Sequence, residues 1–360
     1  MTAAAFDEHL DAIKEIATRL PAVQLMEVCG THTVALFRTG IKSLLPANVR
    51  LLSGPGCPVC VTSQGYIDAA CTLARRDGVT VCTYGDMVRV PGRGGSLEVQ
   101  RARGARIRVV YSARDAVHLA AKSPELQVVF LAVGFETTAP ATAAALLEAE
   151  SLGLKNFSVL AAHKLVVPAM EVLLADGDVP IDGFICPGHV SVIIGAEAYQ
   201  PVVSRYHKPC VVTGFEPAGM LAGIAAVLRQ IAAGDARIEN VYSVAVTPGG
   251  NRVALDVMDR VFEPAPARWR AMGELPASGL RLRPAYAAFD AWRRFDLTEG
   301  DDYDPPGCRC GEVIQGKSQP ADCALFATAC TPLNPIGPCM VSSEGTCAAW
   351  YKYHRPPVEV

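Results

Sequence analysis

No stretch of this chain approaches the ~20 successive apolar residues that a membrane-spanning helix needs. Its longest apolar runs, such as LQVVFLAV from Leu126, are far shorter. A strong charge of either sign is also missing. Lys and Arg total 33 against 36 Asp and Glu, so the net charge is only −3. That offers little to attract nucleic acid or an anionic membrane. The opening segment MTAAAFDEHLDAIKEIATRL lacks the basic start and unbroken apolar core of a signal peptide. Phe6, Leu10, Ile13, Ala17 and Leu20 instead recur at helical spacing. A soluble, cytoplasmic protein is the expectation. GRGG and TPGG match neither the P-loop nor the dinucleotide fingerprint, and no CxxxCxxC triad is present.

What is present is sulfur. Thirteen cysteines occur among 360 residues, half of them hydrophobic, which is enough chain for two or three domains. Disulfide frameworks belong to small secreted domains, and an odd count argues against full pairing. Clustered cysteines in a reducing compartment point to metal binding or redox chemistry. Six of them fall between Cys308 and Cys347, the first sign of a boundary.

From about residue 20 to 246, short β-branched runs alternate with helical patterns. VQLMEV, VRLLSG, VTVCTY, RIRVVY, QVVFLAV, FSVLAA, GFICPG, CVVTG and VYSVAV read as buried strands. The alternation implies parallel sheets covered on both faces. Nine strands are many for one sheet, so two α/β units dividing near residue 120 are expected. The first, 1–120, carries Cys29 and a CxxC pair; the second, 121–246, carries the CPGH and GFE turns. After residue 247, RVALDVMDRVFEP and AYAAFDAWRRF look helical and lead to a Cys-rich tail within 247–360. The fold class is therefore α/β, with two parallel-sheet domains facing a cleft and a small C-terminal iron–sulfur domain.

Six unusual turns close predicted strands: EVCGTHT, GPGCPVC, TYGDMVRVPG, GFETT, CPGHVS and GFEP. All would lie at C-terminal strand ends, where helix N-termini and loops converge on ligands. VGFETTAPATAAALL and VTGFEPAGMLAGIAAVL also echo each other. A repeated strand-to-helix solution, with an acid favouring the helix dipole, would account for Glu136 and Glu216 without any function.

The tail holds Cys308, Cys310, Cys323, Cys330, Cys339 and Cys347, with its one histidine, His354, outside the cluster. No CxxC knuckle occurs there, so zinc is disfavoured. A thiolate-only set in Pro/Gly-rich loops suits a [4Fe–4S] cluster, with a structural zinc as the other reading. The evenly spaced Cys323, Cys330, Cys339 and Cys347 are the chosen ligands, and Cys310 is the first substitute.

In GPGCPVC, a strand end entering a helix favours a thiolate at Cys57 or Cys60. The pair can cycle between dithiol and disulfide; half of a zinc knuckle is the bland reading. Cys29 stands alone beside Glu27 and His32, as a nucleophile or an open metal ligand. His189 is the candidate second ligand or proton donor, although a single histidine is usually structural. Cys71, Cys82 and Cys210 read as buried hydrophobes, and Cys186 stays ambiguous.

Taken together, these six turns and the tail CTPLNPIGPCMVSSEGTCAAWY resemble the HypD family of hydrogenase maturation factors over essentially the whole chain. The resemblance implies a scaffold that assembles the Fe(CN)2CO group of [NiFe]-hydrogenases. It implies a stable complex with HypC, cyanide supplied by HypE, and indirect dependence on HypF and the hydrogenase large subunit. Two α/β domains and a C-terminal [4Fe–4S] domain follow from it. Carried over by motif, Cys29 would hold the nascent iron, together with the N-terminal cysteine of HypC. Cys57 and Cys60 would be the redox pair linking the cluster to that site, with His189 at the same cleft. Thr31, His32, Asp86, Arg89, Glu136 and Glu216 would be supporting or proton-handling groups, although Asp86 and Arg89 could simply pair with each other. The alternatives are an iron–sulfur-dependent thiol–disulfide oxidoreductase, which leaves Cys29 without a purpose, and a zinc-stabilised binding module.

Overall fold

A computed structural model describes residues 3–353, so His354 lies outside the described residues. The first helix, Ala3–Ala17, buries Leu10, Ile13 and Ala17 as their spacing requires. Eleven strands follow among the described residues: β1 (Val23–Glu27), β2 (Val49–Ser53), β3 (Val79–Thr83), β4 (Arg106–Val109), β5 (Gln127–Gly134) and β6 (Phe157–His163). The rest are β7 (Gly183–Pro187), β8 (Cys210–Thr213), β9 (Ile238–Asn240), β10 (Phe262–Trp269) and β11 (Gly273–Leu282).

Two parallel sheets result, in the orders β2-β1-β7-β8-β9 and β4-β3-β5-β6. Their continuous apolar strands, such as β3 and β5, are buried along their length, as expected of sheets covered on both faces. The division near residue 120 is corrected by the pairing. Strands β3 and β4 share a sheet with β5 and β6, while β1 and β2 pair with the late strands through β7. The chain thus leaves the first sheet after β2 and returns to it at β7. The physical reason lies in β5, the longest apolar run, which needs a neighbour on each side and finds them in β3 and β6. Apolar runs alone do not reveal which strand sits beside which.

Two local expectations also change. The ninth strand is Ile238–Asn240, just ahead of VYSVAV, which forms a turn. From residue 247 to the tail, the chain is helical only over Arg252–Val261 and in the short segments Pro284–Phe289 and Ala291–Arg294. Between these lies the antiparallel hairpin β10–β11. Pro264, Pro266 and Pro276 obscured it, because proline reads as a strand breaker. A two-stranded ribbon with a register shift between Ala265 and Ala267 tolerates them.

The Cys-rich tail carries four short helical segments and no strand among the described residues, and it packs directly on the first sheet's loops. Helix Thr346–Tyr353 lies on helix Gly30–Arg38, and helix Pro338–Val341 lies on helix Pro58–Val61. Phe37 and Trp350 meet edge-on at 5.5 Å, with Lys42 Nζ above both rings. Cys57, Cys60, Cys310 and Cys339 belong to one continuous apolar core. No helix among the described residues is long and apolar enough to cross a membrane.

Candidate functional site

Because each sheet is parallel, its C-terminal strand ends share one edge, and the two edges face across a cleft of about 620 Å³. Thr31, Gly56, Asp86, Thr137, His189 and Phe215 line it, so turns after β1, β2, β3, β5, β7 and β8 all contribute. The convergence expected of the six motifs is present.

Cys29 is the residue before helix Gly30–Arg38, and His189 lies at the start of helix Gly188–Ile194. They are 160 positions apart, yet Cys29 Sγ lies 4.0 Å from both His189 ring nitrogens. The Cys29 thiol is buried, and burial first, then the charges of Glu344 and Glu27, push its pKa far up. Burial thus favours the neutral thiol. Burial lowers the pKa of the His189 ring and favours its neutral form. Beneath them Glu27 takes a hydrogen bond from the Cys29 backbone N–H at 3.2 Å and another from Thr33 Oγ1. Burial raises its carboxyl to about 8.

The CxxC loop touches this site. Gly30 N–H donates to Gly56 O at 3.3 Å. A Cβ on Gly56 would collide with the backbone of Val28 and Cys29, so only glycine permits that approach. Cys57 caps helix Pro58–Val61, its sulfur accepting from the Cys60 N–H at 3.2 Å. The two sulfurs sit at bonding distance, with Cα atoms 5.2 Å apart.

Each supporting residue has a place. His32 is fully buried and cross-links the two loops, with Nε2 3.0 Å from Gly214 O and 2.9 Å from Thr213 Oγ1. Burial lowers its pKa to about 4. Thr31 Oγ1 donates to Glu344 Oε1 at 2.6 Å. Asp86 and Arg89 do not pair with each other. Asp86 accepts from Ser342 Oγ at 3.1 Å and Arg89 donates to Pro332 O at 2.6 Å, so both tie the tail to the sheet. Glu136 serves a different helix from the one its sequence suggests. Its Oε1 accepts the Val166 N–H at 2.9 Å, its Oε2 is buried with no partner among the described residues, and burial raises its pKa to about 7. Glu216 is exposed and makes no capping bond to the helix it precedes.

In the tail, Cys308, Cys310, Cys339 and Cys347 form a chain of neighbouring thiols. All four lie above the ordinary thiol pKa. At Cys308 the hydrogen bond with Cys310 and then burial raise it. At Cys310 and Cys339 an opposing bond from the sulfur before is outweighed by the sulfur that follows and by burial. At Cys347 the opposing bond with Cys339 is outweighed by burial and neighbouring sulfurs. Of the four chosen ligands, Cys339 and Cys347 belong to this chain, the Cys347 N–H reaching Cys339 Sγ at 3.5 Å. Cys330 Sγ accepts the Ile336 N–H at 3.3 Å. Cys323 lies against Gly307 O at 3.6 Å, on the side of Arg309. No three His, Cys, Asp or Glu side chains among the described residues converge to hold a single ion. A thiol-only donor set spread along a chain of neighbouring sulfurs suits a cubane, whose four ligands do not meet at one point. On donor chemistry, the residues fit such a cluster.

Sequence reasoning missed Glu344 and Ser342 as members of the cleft. Their only signal was a turn, SSEG, that carries an acid between two cysteines.

Comparison with known proteins shows the family to which the chain belongs. The family model described as "HypD: Hydrogenase formation hypA family" matches residues 4–354. The hydrogenase maturation factor HypD of Azotobacter vinelandii is 49% identical over 365 residues, covering 97% of this chain and 96% of that protein. The namesake from Cupriavidus necator is 49% identical over 338 residues, 92% of this chain and 89% of its own. That of Escherichia coli is 44% identical over 338 residues, 94% and 91% respectively.

Proposed function

The chain belongs to the HypD family of hydrogenase maturation factors, and from that premise we propose that it is the scaffold on which the Fe(CN)2CO group is assembled. The observation that carries this reading is the meeting of Cys29 and His189 at 4.0 Å, with the CxxC loop packed against the Val28–Cys29 backbone. Iron is the cargo. Cys29 offers it a soft thiolate, as cyanide- and carbonyl-bearing iron prefers. Glu344 adds the negative potential that favours exchange of the Cys29 proton for a cation. A thiolate from HypC completes the attachment, and HypE brings the cyanide.

His189, neutral and next to the sulfur, can accept the Cys29 proton as iron arrives and return it on release. Cys57 and Cys60 hold two electrons as a dithiol and release them, with two protons, on closing to the disulfide. Cys339 and Cys347, with two further cysteines of the tail, would hold a [4Fe–4S] cluster. When bound, that cluster supplies one-electron chemistry. The packing of helix Pro338–Val341 on helix Pro58–Val61 keeps the two sulfur groups adjacent.

Complementation of a strain lacking its own factor tests the reading. Cys29→Ala and Cys57→Ser should each abolish hydrogenase activity while the purified protein keeps its tail iron and sulfide. Normal maturation with Cys29→Ala would remove the iron site from this cleft. A thiol–disulfide oxidoreductase would instead reduce model disulfides in turnover, which a scaffold does not.

A further inference from the structure

The tip of hairpin β10–β11 is wedged between the two sulfur groups. On one side the Arg270 N–H donates to Val61 O at 2.9 Å, one residue past Cys60, and Trp269 bridges to Thr62. On the other, Ala271 O accepts from Gln315 Nε2 at 3.0 Å. A Cβ on Gly311, beside Cys310, would collide with the Ala271 side chain. Ala271 takes a left-handed φ of 59°, unusual for a residue with a Cβ, so the tip is held there against its own preference.

Arg270 at this tip is 1% exposed. Its guanidinium donates to Thr62 O at 3.0 Å and Gln64 Oε1 at 3.1 Å, and neither acceptor is charged. Nη2 is buried with no partner among the described residues. A buried cation without a carboxylate is costly unless something compensates it. Its charge is felt at the Cys310 sulfur and at half-buried Asp304. A cluster held by four thiolates carries net negative charge, a complement that no carboxylate hydrogen-bonded to Arg270 supplies among the described residues.

We propose that Arg270 supplies the fixed positive charge and free buried donor for the thiolate-rich centre of the tail, and so sets the potential at which that centre is reduced. The inference rests on the cluster reading above. It makes Arg270 a positioning residue that acts through the centre's electronics. Reduction adds negative charge, and a nearby cation stabilises that state. Removing the cation must therefore move the midpoint to more negative values.

The test is a redox titration, followed by optical and electron paramagnetic resonance spectra, of the full chain reconstituted anaerobically with ferrous iron and sulfide. The variants are Arg270→Met, Arg270→Gln and Arg270→Lys. Wild-type protein that builds no cluster would defeat the parent reading before any variant is made. With a wild-type cluster in hand, the expected result is a negative shift in Arg270→Met and substantial recovery in Arg270→Lys. An unchanged midpoint in Arg270→Met overturns the proposal. Should that variant fail to hold a cluster, the other two decide. Retention by Lys but not by neutral Gln supports the charge role, and a wild-type midpoint in Gln overturns it.

Discussion

The cleft rim and the Cys-rich tail place their sulfur in opposite ways. On the rim, Cys29, Cys57 and His189 follow directly from parallel strands, and each turn is fixed by its strand's hydrogen-bond ladder. In the tail no strand does this work. Cys339 and Cys347 are placed by helix packing on the first sheet's loops, by Trp350 against Phe37, and by Ser342 and Glu344 reaching Asp86 and Thr31. The rim is thus built by local backbone order, and the tail by contacts with residues some 240 to 310 positions earlier. The scaffold proposed above, with cargo on one side and a resident centre on the other, would gain from that arrangement. The tail closes the cleft and brings its thiols to the CxxC helix in one packing event.

The largest way to break the comparison is to loosen the tail alone. Trp350→Ala should cost about 4 kcal/mol at that contact. Hydrogen exchange should then show lost protection over residues 308–353 with β1, β7 and β8 still protected. Loss across both regions together would mean that rim and tail are one cooperative unit.

The rim's own cost shows in its pH dependence. The Glu136 carboxyl is raised from 4.5 to about 7, so the folded state holds an extra proton between those values. Its stability is full below the lower value and falls as pH rises through the upper one. Glu136→Gln removes that loss. It should be more stable than the parent by about 3 kcal/mol at pH 8, and equal to it near pH 4. Denaturant midpoints at the two pH values check this, and an equal difference at both would assign the effect to packing.

A smaller effect sharpens the link between Cys29 and the CxxC loop. Gly56→Ala should destabilise by about 2 kcal/mol as the two loops are forced apart. It should also lower iron–cyanide loading while leaving tail iron unchanged. Thermal melts and metal analysis would show it; full loading would mean that the close approach is only structural.

The same contrast explains what could be read from the chain. The first eight strands and all six strand-end motifs were legible, because apolar runs and glycine-bearing turns are local signals. Strand order was not, since β3 pairing with β5 is decided by packing between distant segments. Hairpin β10–β11 was hidden by its prolines. Glu344 and Arg270 were missed for a related reason: the first is an ordinary acid in a turn and the second an ordinary basic residue in WRAMG. Only the burial of Arg270 and the contact of Glu344 with Thr31, both beside sulfur-bearing loops, mark them out.

The central claim is that Cys29 carries cargo iron in the cleft, separately from the tail centre. Infrared spectroscopy of the anaerobically purified protein, co-expressed with its HypC partner, tests it most directly. The account predicts bands of metal-bound cyanide and carbonyl that vanish in Cys29→Ala while tail iron and sulfide persist. Unchanged bands in that variant, or no bands in the parent with its tail centre intact, would contradict it.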